Sequence, residues 1–213
     1  MALCGDDDGC GCFDGDFSRK AGESVKSSVA VSVVIVHGWD ASPDSNWFEW
    51  LKKNLEEEGL HCVVPAMPNS ALPQLDEWVN HLDKVVRKLP RKEKLILIGH
   101  SLGCVTIAHY LARIADAHAD GCVFVAGFSG NIRIHAIKEF YETALDLKRV
   151  KSKIGKAVSI LSLDDKAVPA EKSREFAREL GAEVIEVNGY GHFMGSEGVT
   201  LLPMILPEIQ KLL

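Results

Sequence analysis

From residue 31 onward, short β-branched runs alternate with segments of helical period, and few architectures accept that order. The runs read as strands at Val31–Val36, Cys62–Val64, Leu95–Ile98, Cys122–Ala126, Val158–Leu163 and Glu183–Val187. Most are apolar on both faces, which suits a sheet covered on two sides, and strands joined through helices pair in parallel. The expectation is one three-layer α/β domain, residues 30–213, with a mainly parallel sheet of about six strands. Trp47, Trp50, Leu51 and Leu55 form one helical stripe, with Asn46 and Glu49 placed as N-cap and N3 of a capping box. Leu75, Trp78, Val79, Leu82, Val85 and Val86 form a second stripe, and further helices are predicted at 103–116, 135–146, 170–179 and 198–212.

Residues 1–29 read differently. They are rich in Gly, Asp, Ser and Cys, carry six acids against three bases, and show neither period, so a flexible acidic tail is expected there. Cys4, Cys10 and Cys12 lack a fourth ligand at finger-type spacing, so no metal site is expected. Acylation of these cysteines would give weak membrane association, although Ala2 excludes the myristoylation signal that often accompanies it. No apolar run approaches the roughly 20 residues of a membrane helix, and the start of the chain has no signal-peptide core. A cytoplasmic, reducing compartment is expected, with Cys62, Cys104 and Cys122 as buried small hydrophobes. A net charge of −6 argues against a nucleic-acid partner, and the basic run 87–94 is broken by Leu89, Pro90 and Glu93.

The chemistry enters at Leu95-Ile96-Leu97-Ile98-Gly99-His100-Ser101-Leu102-Gly103, a strand feeding G-x-S-x-G and then a helix. So tight a turn strains the nucleophile's backbone and leaves no room for side chains at either glycine. It lifts the Ser101 hydroxyl to the carboxyl edge of the sheet, where the Leu102 N–H faces a developing oxyanion. A serine needs a base and an acid, expected in the order Ser, acid, His. Asp164 and Asp165 both close the strand 158–163, and spacing does not choose between them. His192, in the glycine-punctuated loop 188–193 after the last strand, has the right order and position for the base. His37 competes for that role, but its place after the first strand suits a loop-shaping residue. In that loop Gly38 permits close backbone approach, and the Trp39 N–H is the expected second oxyanion donor. No cofactor-binding fingerprint is present, since Gly9-Cys10-Gly11 lies in the tail.

These residues resemble the α/β-hydrolase superfamily, and within it small serine hydrolases similar to retinoblastoma-binding protein 9 and the bacterial YdeN-type proteins. The resemblance runs from about residue 31 to 213. It is carried by His37-Gly38-Trp39, Ser42-Pro43-Asp44-Ser45-Asn46-Trp47-Phe48, Met67-Pro68-Asn69, Gly99-His100-Ser101-Leu102-Gly103-Cys104, Asp164-Asp165 with Val168-Pro169, and Gly191-His192-Phe193. It implies an α/β-hydrolase fold and makes the second aspartate, Asp165, the acid of a Ser101–Asp165–His192 triad. Lys166 departs from the proline often found there, and Leu60-His61-Cys62-Val63-Val64 lacks the glutamate of a retinoblastoma-binding motif, so that partner is not implied. Between Ser101 and Asp165 there is no room for a large cap domain, only for a small cover from 128 to 152. The implied activity is hydrolysis of short-chain esters, thioesters or small amides, on a small acyl substrate or an acylated protein. The alternative is a catalytically silent interaction module on the same scaffold.

Overall fold

The computed structural model describes residues 30–213; the expectations for residues 1–29, including Cys4, Cys10 and Cys12, lie outside the described residues. Six strands form one sheet: β1 (Val31–Val36), β2 (His61–Val63), β3 (Lys94–His100), β4 (Ala119–Val125), β5 (Ile154–Ser162) and β6 (Glu183–Val187). Their spatial order is β2-β1-β3-β4-β5-β6, and every pairing is parallel. This is the α/β-hydrolase arrangement without a large cap. All carboxyl ends therefore lie on one rim, and β3, which leads into Ser101, lies in the interior of the sheet.

The helices are α1 (Phe48–Glu57), α2 (Leu75–Val86), α3 (Leu102–Arg113), α4 (Lys138–Glu142), α5 (Leu147–Lys151), α6 (Ala170–Leu180) and α7 (Ile205–Leu212). Strand alternation divides the core into two. Val34, Val36, Leu97, Cys122 and Phe124 pack with residues of α2 to α6, including Trp78, Phe140 and Phe176. Val33, Ile35, Ile98, Val123, Val125 and Ile160 pack on the other face with Trp47, Phe48 and Leu51, and with Ile205 and Ile209 of α7. Residues 102–111 of α3 are buried on every side, so its mean apolarity rather than an amphipathic stripe suits it to the centre.

Three helix expectations are corrected. The capping box at Asn46 and Glu49 does not form: α1 follows Trp47 with no side-chain cap, Asn46 has a φ of 55°, and its Oδ1 accepts from the Gly195 N–H at 2.9 Å instead. A distant amide has outbid the local one. The segment 135–146 yields only a 3₁₀ turn (His135–Ile137) and the five-residue α4, which ends where Thr143 turns extended and the Phe140 carbonyl bonds to another element. Glu139 caps the Leu75 N–H at 2.9 Å, and the Phe140 carbonyl accepts from His109 Nε2 at 2.9 Å. The predicted helix 198–212 shrinks to α7, since Gly198 is left-handed (φ 88°) and Pro203 precedes the helix, while Pro207 is tolerated in its first turn.

Candidate active site

Ser101 stands alone between β3 and α3, with φ 54° and ψ −118°. A conformation this sparsely populated costs on the order of 1–3 kcal/mol, so its surroundings must impose it. They do so through the Ser101 N–H on the Val125 carbonyl and the Cys104 N–H on the Ser101 carbonyl, both 2.9 Å. The two flanking glycines are obligatory. A Cβ on Gly99 would come within 2.7 Å of Cys104 backbone, and one on Gly103 would collide with the carbonyl oxygen of Val36.

Across the rim, His192 Nε2 lies 2.9 Å from Ser101 Oγ, and its Nδ1 lies 2.7 Å from Asp165 Oδ2. The other oxygen of Asp165 accepts from the Ala167 and Val168 N–H groups, both at 2.8 Å. A carboxylate only accepts, so Nδ1 carries the imidazole proton and Nε2 is left to accept from the serine hydroxyl. All three groups are buried: Ser101 and His192 are 8% and 7% exposed, and the Asp165 side chain 2%. Asp164 turns away. Its carboxylate accepts from Ser162 Oγ at 2.6 Å and from the Gly189 and Gly191 N–H groups at 2.8 and 3.4 Å. Those bonds, the Ser162 hydroxyl foremost, hold it below the usual carboxylate range and make it a brace for the loop that carries His192.

His37 is occupied elsewhere: its Nδ1–H donates to the Gly38 carbonyl at 2.9 Å, and its Nε2 accepts from the Met67 N–H at 3.0 Å. Burial lowers its pKa, and the imidazole ties the loop after β1 to the one after β2. Gly38 approaches Ser101 closely, since a Cβ on it would lie 3.2 Å from that of Ser101. Among the described residues, neither the Leu102 nor the Trp39 N–H donates to a protein acceptor. The Trp39 indole donates to the Ala71 carbonyl at 3.0 Å, which fixes a partly exposed ring beside this loop.

Two contributors carry no recognisable signal in the sequence. Glu197 Oε2 accepts from the His192 N–H at 2.7 Å and the Met194 N–H at 3.3 Å, and Asn46 takes the Gly195 N–H. Their partners are backbone amides of a loop whose path only the fold defines. The described cysteines are free and buried; burial pushes the Cys62 thiol up to about 12 and raises Cys104 and Cys122 as well, so none is poised as a thiolate. Between the segment 128–147 and α6 lies a cleft of about 380 Å³ lined in part by Val105, Phe128, Phe140, Tyr141 and Leu145. A cavity of about 260 Å³, lined by Ser32, Arg87 and Tyr110 among others, includes none of the residues that meet at Ser101. Among the described residues no helix is long and apolar enough to cross a membrane.

A sequence profile described as serine hydrolase matches residues 33–211. The chain belongs to that family. The putative hydrolase YdeN of Bacillus subtilis is 33% identical over 175 residues, covering 81% of this chain and 91% of YdeN. Its crystal structure aligns with a TM-score of 0.81 over 86% of this chain and 98% of that one. The serine hydrolase RBBP9 of Rattus norvegicus is 23% identical over 163 residues, 75% of this chain and 84% of its own. Polyneuridine aldehyde esterase, at 14% identity and a TM-score of 0.65 over 85% of this chain and 98% of that one, shares the fold.

Proposed function

We propose that this serine hydrolase works through a Ser101–His192–Asp165 triad and a covalent acyl-enzyme, on short-chain carboxylic esters, thioesters or small amides. The observation that carries the reading is the unbroken hydrogen-bonded line from Ser101 Oγ through both nitrogens of His192 to Asp165. Ser101 Oγ attacks the acyl carbon while His192 Nε2 takes its proton, and Asp165 stabilises the imidazolium that results. The carbonyl oxygen gains the negative charge beside the Leu102 and Trp39 N–H groups, at the amino end of α3. Collapse returns the His192 proton to the leaving alcohol, thiol or amine, and water then cleaves the acyl-enzyme by the same route. No step calls for a cofactor.

Substrate size follows from the cover. Segment 128–152 holds only a 3₁₀ turn and the short α4 and α5, too little chain to wall a long lipid tunnel. A small acyl group, free or carried on a protein surface, fits such a site. The test is labelling by a fluorophosphonate probe alongside hydrolysis of p-nitrophenyl acetate, butyrate and long-chain esters. Turnover is expected to favour the short esters and to fall by about 10⁴ or more in Ser101→Ala and His192→Ala. Equal labelling and turnover in Ser101→Ala would place the nucleophile elsewhere. A folded protein that neither turns over nor labels, yet retains a stable protein partner, would make the scaffold an interaction module.

A further inference from the structure

The residue beside the nucleophile, His100, is a histidine in a place that packing alone would give to an apolar ring. It is buried on β3, with Trp47 edge-on at 6.1 Å, Phe48 at 5.8 Å and the His192 ring at 5.1 Å. Its Nε2 lies 2.8 Å from the backbone carbonyl oxygen of His192, an atom that can only accept, so Nε2 carries the proton. Burial drives His100 down to about 3, which keeps the ring neutral and leaves Nδ1 a bare acceptor. That Nδ1 is buried and has no hydrogen-bond partner among the described residues. Gly38 faces it, and a Cβ there would lie 3.3 Å away. An orphaned acceptor costs stability that leucine or phenylalanine would spare. What the imidazole offers in return is one hydrogen bond, to His192.

The opposite side of the same residue is held too. Glu197 Oε2 accepts the His192 N–H at 2.7 Å, and Gly191, at a φ of 51°, lacks the Cβ that would strike the Glu197 carboxylate. Taking the triad reading as its basis, we infer that His100 and Glu197 are positioning residues that clamp the backbone of His192 from both sides. Glu197 grips the amide and His100 the carbonyl. The imidazole swings about a backbone that is thereby fixed, which keeps its two nitrogens on the line between Ser101 and Asp165.

The experiment uses the full chain and four variants, Glu197→Ala, Glu197→Gln, His100→Leu and His100→Gln. It measures kcat and KM on p-nitrophenyl butyrate, the thermal midpoint, and the downfield proton resonance of His192 Nδ1–H. Glu197→Ala and His100→Leu are expected to lose about tenfold or more in kcat with KM within about twofold, because a small misplacement of the base is costly. Both should shift or broaden the Nδ1–H resonance. The two glutamine variants, which keep an acceptor at 197 and a donor at 100, should recover most of the loss. Should His100→Leu fail to fold, Glu197→Ala carries the test, since Glu197 is exposed. The clamp is overturned if Glu197→Ala leaves kcat and the resonance unchanged, or if the glutamine variants are as impaired as the others. Turnover insensitive to Ser101→Ala would instead refute the triad reading, and the resonance would still decide whether the clamp holds His192.

Discussion

The two adjacent aspartates at the end of β5 allow a sharp prediction, because replacing either by asparagine changes few atoms but very different hydrogen bonds. In Asp165→Asn, the side-chain oxygen has two N–H donors to satisfy, Ala167 and Val168, both at 2.8 Å. The new amide NH₂ is then presented to His192 Nδ1, 2.7 Å from the atom it replaces. Two donors cannot face each other, so Nδ1 must give up its proton and Nε2 must carry one. An Nε2–H cannot accept from Ser101. The expected loss is about 10⁴ in kcat/KM, about 5.5 kcal/mol of transition-state stabilisation, with the fold intact. In Asp164→Asn, one oxygen still serves Ser162 and Gly189, and only the 3.4 Å contact to Gly191 is given up. Its expected effect is within about fivefold, that of a weakened brace. The assay is kcat/KM on p-nitrophenyl butyrate for both variants, with thermal melts as the control for folding. A larger loss in Asp164→Asn, or less than a tenfold loss in Asp165→Asn, would refute the tautomer argument.

Gly103→Ala places a methyl group against the Val36 carbonyl and is expected to cost about 1–3 kcal/mol or more, read as a lowered thermal midpoint together with lost activity. Acid should destabilise the protein through His100. Above its ordinary value of 6.5 both folded and unfolded chains hold it neutral, but between there and about 3 only the unfolded chain binds the proton. Stability therefore falls with pH, by about 2 kcal/mol at pH 5 from this residue alone, with buried His37 and His109 shifted in the same direction. Denaturant melts at pH 7.5 and 5 should show a smaller drop in His100→Gln than in the wild type, and equal drops would remove His100 as the cause. Deleting residues 1–29 should leave kcat/KM unchanged, since every atom in the proposed line and its braces comes from residues 37–197, and steady-state kinetics on the truncated chain checks it.

The sheet was legible because its inner strands β1, β3 and β4 are buried on both faces and so read as nearly continuous apolar runs, while the more exposed β6 is marked by its β-branched residues; Val31–Val36 and Glu183–Val187 coincide with their predicted bounds. The turn at Ser101 was legible for a different reason, since a steric demand on two glycines leaves a mark at fixed spacing. Helix limits were read less well wherever a distant group outbid a local one. Asn46 has the chemistry of an N-cap, yet it serves Gly195. The Phe140 carbonyl lies inside an expected helix, yet it accepts from His109 of α3, and α4 ends two residues later. The choice between Asp164 and Asp165 was hidden in the same way. Both are acids at one strand end, and what separates them is a pair of amides two and three residues further on that hold only Asp165.

That contrast extends to the site itself. Ser101 is positioned largely by what surrounds it in sequence: Gly99 and Gly103 permit the turn, and Cys104 donates to its carbonyl. His192 is not. Its loop depends on side chains from Asn46, His100, Asp164 and Glu197, gathered from four separate places along the chain. Local constraints survive most distant substitutions, whereas a loop held by side chains from several elements is weakened whenever one of them is lost. Substitutions remote in sequence should therefore impair the base before the nucleophile. In such a variant the serine keeps its buried, strained geometry and the proposed oxyanion donors stay in place, so residual catalysis belongs to the elbow alone.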